Sequence, residues 1–157
     1  MILTTISQLT TLLAIVFGDL SGKEKESYNA AKLAALMSDY GYLESFKING
    51  DKWGADLLFY RASDSDVKKV QLKGRATFDK NYVGKDLYIA FPMPGDVWCI
   101  YPHDVVMRQA SGKKWKNTMS WTGVGGYSWN IPPVWLVNIL RPWMIQNKEN
   151  TNEDSSS

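Results

Sequence analysis

Cysteine and histidine each occur once in these 157 residues, as Cys99 and His103. A lone thiol cannot close an intrachain disulfide, and one cysteine with one histidine cannot make a structural zinc site. Cytoplasmic, intracellular residence is the resulting expectation. Mechanisms that need two histidines are excluded. His103 itself follows Pro102 and reads as a helix-start residue. The apolar stretch Thr11–Phe17 is too short to cross a bilayer. No Lys or Arg precedes it and no Ala-x-Ala follows, so it does not read as a signal peptide. No membrane partner is expected. Gly123-Val124-Gly125-Gly126 fits neither a dinucleotide fingerprint nor a phosphate loop and reads as a turn. Internal repeats and interdomain linkers are also missing. Formal net charge is only +2, which by itself selects no partner.

The chain does have enough apolar material, 45% of residues, for one hydrophobic core. One domain over residues 1–146 is expected, with its core at 22–110 and an aromatic-rich extension at 111–146. Residues 147–157 are polar throughout and are expected to be disordered. Charge is unevenly spread: residues 67–116 carry ten basic side chains against four acidic, and residues 1–66 six against nine. Such asymmetry suits a polyanion partner, DNA or RNA. The other reading is an ordinary solvated surface, above all for Gly112-Lys113-Lys114-Trp115-Lys116.

Two short runs hold the chemistry. Gly54-Ala55-Asp56 opens the apolar run Leu57-Leu58-Phe59-Tyr60, and Val70-Gln71-Leu72-Lys73-Gly74-Arg75 follows a polar bend at 61–66. Strand side chains alternate faces, so Gln71 and Lys73 point one way and Leu72 the other. If the two strands are neighbours, Asp56 meets Gln71 and Lys73 at one sheet end. A carboxylate, a neutral oxygen and an ammonium at one point suit a metal ion, a phosphate and an attacking water.

These residues resemble the PD-(D/E)XK nuclease superfamily, with Asp56, Gln71 and Lys73 in the motif positions, Ala55 in place of its proline and Gln71 in place of its second acid. The surroundings are similar over about 22–110. A helix is predicted at Ser27–Tyr40, closed by Gly41, with Glu26, Ala30, Leu33, Ala34 and Met37 on one stripe. Strands are predicted at Asp86–Phe91 and Asp96–Tyr101, joined by Pro92–Gly95, then a helix at Val105–Gln109. The order helix, three strands, irregular segment, two strands, helix is similar to the superfamily core. The Gly22–Glu26 helix start is similar to that of archaeal Holliday junction resolvases.

The resemblance implies an α/β domain with a mixed central β-sheet flanked by helices, restriction-endonuclease-like. It implies a Mg²⁺-dependent DNA endonuclease of junction-resolving, homing or restriction type, with Mn²⁺ able to substitute. Asp56, Gln71, the Leu72 carbonyl and Glu26 would hold the metal, and Lys73 would sit beside the scissile phosphate. Arg75, Lys80, Lys85, Lys113, Lys114 and Lys116 would contact nucleic acid. Cutting a duplex with such a site calls for a homodimer. Two alternatives stand beside the enzyme: an inactive nucleic-acid-binding module, which Gln71 would permit, and an RNA-processing factor.

Each residue also has a plainer reading. Asp56 could close a turn before a strand. Gln71 and Lys73 could form the solvated face of an amphipathic strand. Acids are favoured in any first helical turn, and Glu24 competes with Glu26. Trp115, Trp121, Tyr127, Trp129, Trp135 and Trp143 could stack on bases, but packing around a Pro132-Pro133 helix start at Val134–Leu140 is favoured. Ile6, Leu9, Leu13, Val16 and Leu20 mark an amphipathic helix broken near Gly18, which would cover the core or meet a second subunit.

Overall fold

The computed structural model describes residues 14–49 and 53–147. Helix α1, Gly22–Ser38, starts five residues earlier than its apolar stripe suggests because Ser21 and Glu24 form a capping box. The Glu24 amide donates to Ser21 Oγ (3.3 Å) and the Ser21 amide to Glu24 Oε2 (2.8 Å). Glu24 is thus engaged at the helix end. A capping serine needs extended backbone, so a helix cannot run through Leu20 and Ser21. The predicted amphipathic helix accordingly gives way, where it is described, to a 3-10 turn at Phe17–Asp19, with Phe17 packed on Tyr28. The rest of that helix and the tail beyond Asn147 lie outside the described residues. At the other end, Gly41 takes φ +87°. Its amide donates to Ser38 O and that of Tyr42 to Met37 O, the paired bonds of a Schellman closure.

Strands β1 (Glu44–Lys47), β2 (Leu57–Arg61), β3 (Asp66–Leu72), β5 (Leu87–Met93), β6 (Val97–Pro102) and β8 (Met144–Ile145) form one sheet in the order β1-β2-β3-β5-β6-β8. All pairs are antiparallel except β3 with β5, so the sheet is mixed. Strands β4 (Thr77–Asp79) and β7 (Gly126–Ser128) form a separate two-stranded ribbon. Helices α2 (His103–Gln109) and α3 (Val134–Leu140) complete a single α/β domain. Residues 111–146 are less an extension than part of the body, since β8 extends the main sheet beside β6 and β7 pairs with β4.

Alternation along the strands builds two apolar layers. Val70, Ala90, Trp98 and Ile100 face α1, where Ala30, Leu33, Leu36 and Met37 cover them together with Leu57 and Phe59. Ile89, Phe91, Cys99 and Tyr101 face the other way, onto Val106, Ala110, Trp115, Leu136 and Leu140. Strands β5 and β6 are thus covered on both faces, which explains their near-continuous apolar sequence. Over β1 to β3 the second face stays open: Phe46 and Val67 are each 54% exposed. Gln71, paired with Ile89, lies on this second face where the covering layer ends.

The crossover from β3 to β5 is fixed by His103. Fully buried, it accepts the Asp79 amide at Nε2 (3.0 Å), so its proton sits on Nδ1, 2.8 Å from Asp104 Oδ1. Asp104 Oδ2 in turn accepts the Gly84 amide (2.8 Å). The pair therefore grips both sides of the 3-10 turn Lys80–Tyr82, and the Tyr82 ring meets the His103 ring edge-on at 5.6 Å. Burial holds the His103 pKa below its ordinary value, against the opposing pull of Asp104 and Asp79. The unfolded chain then binds more protons than the folded one below about pH 6.5, and stability is lost as pH falls. Urea unfolding of Asp56→Asn at pH 7.5 and 5.5 checks this, since the native Asp56, whose pKa is raised, shifts stability in the opposite sense. The free energy is expected to be lower at pH 5.5, and a flat or rising value would contradict the neutral, clamped imidazole.

Candidate active site

The β2–β3 hairpin aligns the motif residues. At its closed end Arg61 pairs with Asp66 in register, and the Arg61 guanidinium holds Asp64 (2.8 Å) across the bend. Tyr42 donates its hydroxyl to Asp66, which is ion-paired with Lys68 at 3.0 Å. From that turn the register runs to Leu57 opposite Val70. Beyond that pair the ladder shifts: the Asp56 amide donates to Val70 O (2.9 Å), and the Asp56 side chain reaches the end of β3. The approach to Asp56 needs Gly54: its φ is +68°, and a Cβ there would come within 3.0 Å of Leu87 Cδ1.

Asp56 Oδ2 accepts from Gln71 Nε2 (2.6 Å) and from the Leu72 amide (2.8 Å). Among the described residues Oδ1 has no hydrogen bond. The Lys73 amide donates to Ala90 O on β5 at 2.9 Å, so the opposite end of that planar peptide, the Leu72 carbonyl, points back toward β2 and Asp56. Asp56 and Leu72 line a cavity of about 140 Å³ with Glu26, Ala30, Lys47, Ile48, Asn49 and Leu57. Burial raises the Asp56 pKa most, and the Glu26 carboxylate adds to the rise, while the Leu72 amide, Gln71 and Lys73 oppose it. Two carboxylates from α1 and β2 therefore feel each other across one cavity.

Lys73 lies close enough to bias Asp56 yet forms no ion pair among the described residues; its ammonium sits 5.4 Å over the Tyr82 ring. Arg75 shares a depression with Lys73 and donates to Asn130 Oδ1. Lys80, Lys113 and Lys116 lie over the rings of Trp121, Trp135 and Trp115 at 5.1, 5.3 and 5.9 Å. Lys114 and Lys85 are exposed, and the Lys85 carbonyl accepts from Lys69 Nζ at 2.5 Å. The structure thus sets Asp56, Leu72 and Glu26 around one cavity, bonds Gln71 to Asp56, sets Lys73 and Arg75 alongside, and places Lys80, Lys113 and Lys116 over tryptophan rings. Tyr82 and the His103–Asp104 clamp behind Lys73 were not legible in the sequence, because their partners are backbone amides and a ring from other segments.

Among the described residues no group of three or more His, Cys, Asp or Glu side chains gathers at one point. The oxygens available at the cavity are two carboxylates and the Leu72 carbonyl. Gln71 turns its NH₂ to Asp56, because a carboxylate only accepts; offering Oε1 instead requires a half-turn of its amide. This set fits Mg²⁺, which takes oxygen ligands and keeps several waters. No protein-family model, curated protein or solved structure matches the chain.

Proposed function

We propose that the chain is a metal-dependent DNA endonuclease with a restriction-endonuclease-like core. One observation carries the reading: the Asp56 carboxylate, at the entrance to β2, bonds both Gln71 and the Leu72 amide at the end of β3. Asp56, Glu26, the Leu72 carbonyl and, after its amide turns, Gln71 would hold the divalent cation. That ion would polarise the phosphate and acidify the attacking water. Lys73, one residue past the end of β3, would orient the water and stabilise charge growing on the phosphate oxygens. Water oxygen bonds to phosphorus as the opposite P–O ester bond breaks, leaving one phosphate end and one hydroxyl end. One site cuts one strand, so cutting a duplex would need a second copy of the chain.

A binding module without hydrolysis is the second reading. It is favoured by the Gln71 amide group turned toward Asp56, which leaves the pair satisfied without a cation. Incubating the protein with supercoiled plasmid, branched DNA and RNA, in Mg²⁺, Mn²⁺ or chelator, separates the two. Metal-dependent nicking is expected, and Lys73→Ala is expected to slow it about 10²-fold or more while the fold and DNA binding persist. Salt-sensitive binding without cleavage of any substrate would leave the binding module.

A further inference from the structure

Beyond Lys73 the chain forms a second depression, of about 330 Å³, lined by Lys73, Gly74, Arg75, Thr77 and Ser128. Among the described residues no carboxylate lines it. Arg75 is oriented by a neutral acceptor, Asn130 Oδ1, so its charge is not cancelled by its partner. Gly74 leaves open space where a side chain would stand, which gives a ligand access to the backbone. The walls are fixed from several sides. The Lys73 amide is tied to Ala90 O (2.9 Å) and Ala76 O to the Trp129 amide (3.1 Å). Thr77 exchanges both backbone groups with the buried Tyr101 hydroxyl, at 2.9 and 2.6 Å, and is in register with Ser128. The Thr77 hydroxyl donates to Arg75 O (3.0 Å) and braces the wall, so two cations, the Ser128 hydroxyl and a bare glycine make the preorganised receptor for a tetrahedral oxyanion.

We infer that this depression binds the backbone phosphate next to the one placed at Asp56, so that the nucleic-acid strand runs from Asp56 across Lys73 to Arg75 and Ser128. The inference rests on the nuclease reading for the position of the first phosphate, but not for the existence of the second site. Its chemistry reads phosphodiester charge rather than a base. DNA and RNA of one sequence should therefore bind alike, and a neutral morpholino oligomer should not bind.

The test uses the full chain with Asp56→Asn, in chelator, so that no cleavage intervenes. Binding of a fluorescent 12-nucleotide single strand is followed by anisotropy between 50 and 200 mM salt. Arg75→Ala is expected to weaken binding about fivefold or more and to lower the salt slope by about one. Arg75→Gln, which can still donate to Asn130, should behave the same if charge is what matters. Inorganic phosphate should shift the Gly74 and Ser128 amide resonances in the parent and not in Arg75→Ala. Unchanged affinity and slope in both Arg75 variants, or equal binding of the morpholino, would overturn the inference. Arg75-dependent binding in a chain whose wild type never cuts would keep this site and remove the nuclease. Cleavage and binding both indifferent to Arg75 would do the reverse.

Discussion

Asp56→Asn is expected to slow Mg²⁺-dependent nicking by roughly 10³-fold while raising the melting temperature of the metal-free protein. The two effects share one cause. Burial and the Glu26 carboxylate both disfavour the ionised form of Asp56, lifting its pKa above the ordinary value. A group whose folded pKa is raised binds more protons folded than unfolded, so its ionisation erodes stability as pH rises past the ordinary carboxylate range. Neutral asparagine removes that cost. With its oxygen in the Oδ2 position it still accepts from both the Leu72 amide and Gln71 Nε2, and its NH₂ takes the place of Oδ1. If the proposed site holds Mg²⁺, the ion should raise the melting temperature of the wild type and leave Asp56→Asn unmoved. A purely structural aspartate would behave oppositely: the asparagine variant would melt lower, and Mg²⁺ would shift neither protein. Thermal melts at pH 7.5 with and without Mg²⁺, beside the plasmid assay, separate the two accounts.

Trp115→Ala is expected to cost about 3–5 kcal/mol, the range for deleting a large buried aromatic. Trp115 is 3% exposed, donates its indole N–H to Ala110 O (2.8 Å) and meets Phe78, Trp121 and Trp129 at centroid distances of 4.9, 4.7 and 6.3 Å. Its loss leaves a cavity between α2 and the β4–β7 ribbon, while Ala110 O keeps its bond from the Lys113 amide (3.2 Å). Against a typical stability of about 5–15 kcal/mol, that is a large share. Urea denaturation gives the number directly. A cost below about 1 kcal/mol would mean the aromatic layer is a surface platform rather than core. Packing was the favoured sequence reading of these residues, and for Trp115 it is what the structure shows. Trp121, Trp129 and Trp135 are only partly buried and ring the same cluster.

How much was legible depended on whether a signal was local. The run Leu57–Tyr60 carries its own period, so β2 followed from sequence; β3 instead starts at Asp66, four residues before Val70, and ends at Leu72, short of Lys73. Gly41 and the helix Val134–Leu140 were equally readable, because a closing glycine and a Pro-Pro start act within one turn. The start of α1 was readable too, as Ser21-Gly22-Lys23-Glu24, but the apolar stripe drew attention five residues downstream. Strand β5 runs on through Pro92, placed there as a linker; its pairing with β3 has ended by Ala90, so that side needs no amide from the proline. Other features had no local signal. Met144-Ile145 becomes a strand only because β6 offers an edge, and Thr77–Asp79 only because Gly126–Ser128 returns beside it. The role of His103 depends on an amide 24 residues away, and no periodicity marks it. Of the site, the strand residues were visible; the cavity shared with Glu26, the direction of the Leu72 carbonyl and the Tyr82 ring beneath the Lys73 ammonium are products of packing.

A crystal soaked in Mn²⁺ gives the most direct test of where a cation would sit. An anomalous peak is expected within about 2.3 Å of Asp56 Oδ1 and the Leu72 carbonyl oxygen, with Gln71 turned to present Oε1. Density for the ion elsewhere on the surface, with the Gln71 NH₂ still bonded to Asp56, would contradict the site.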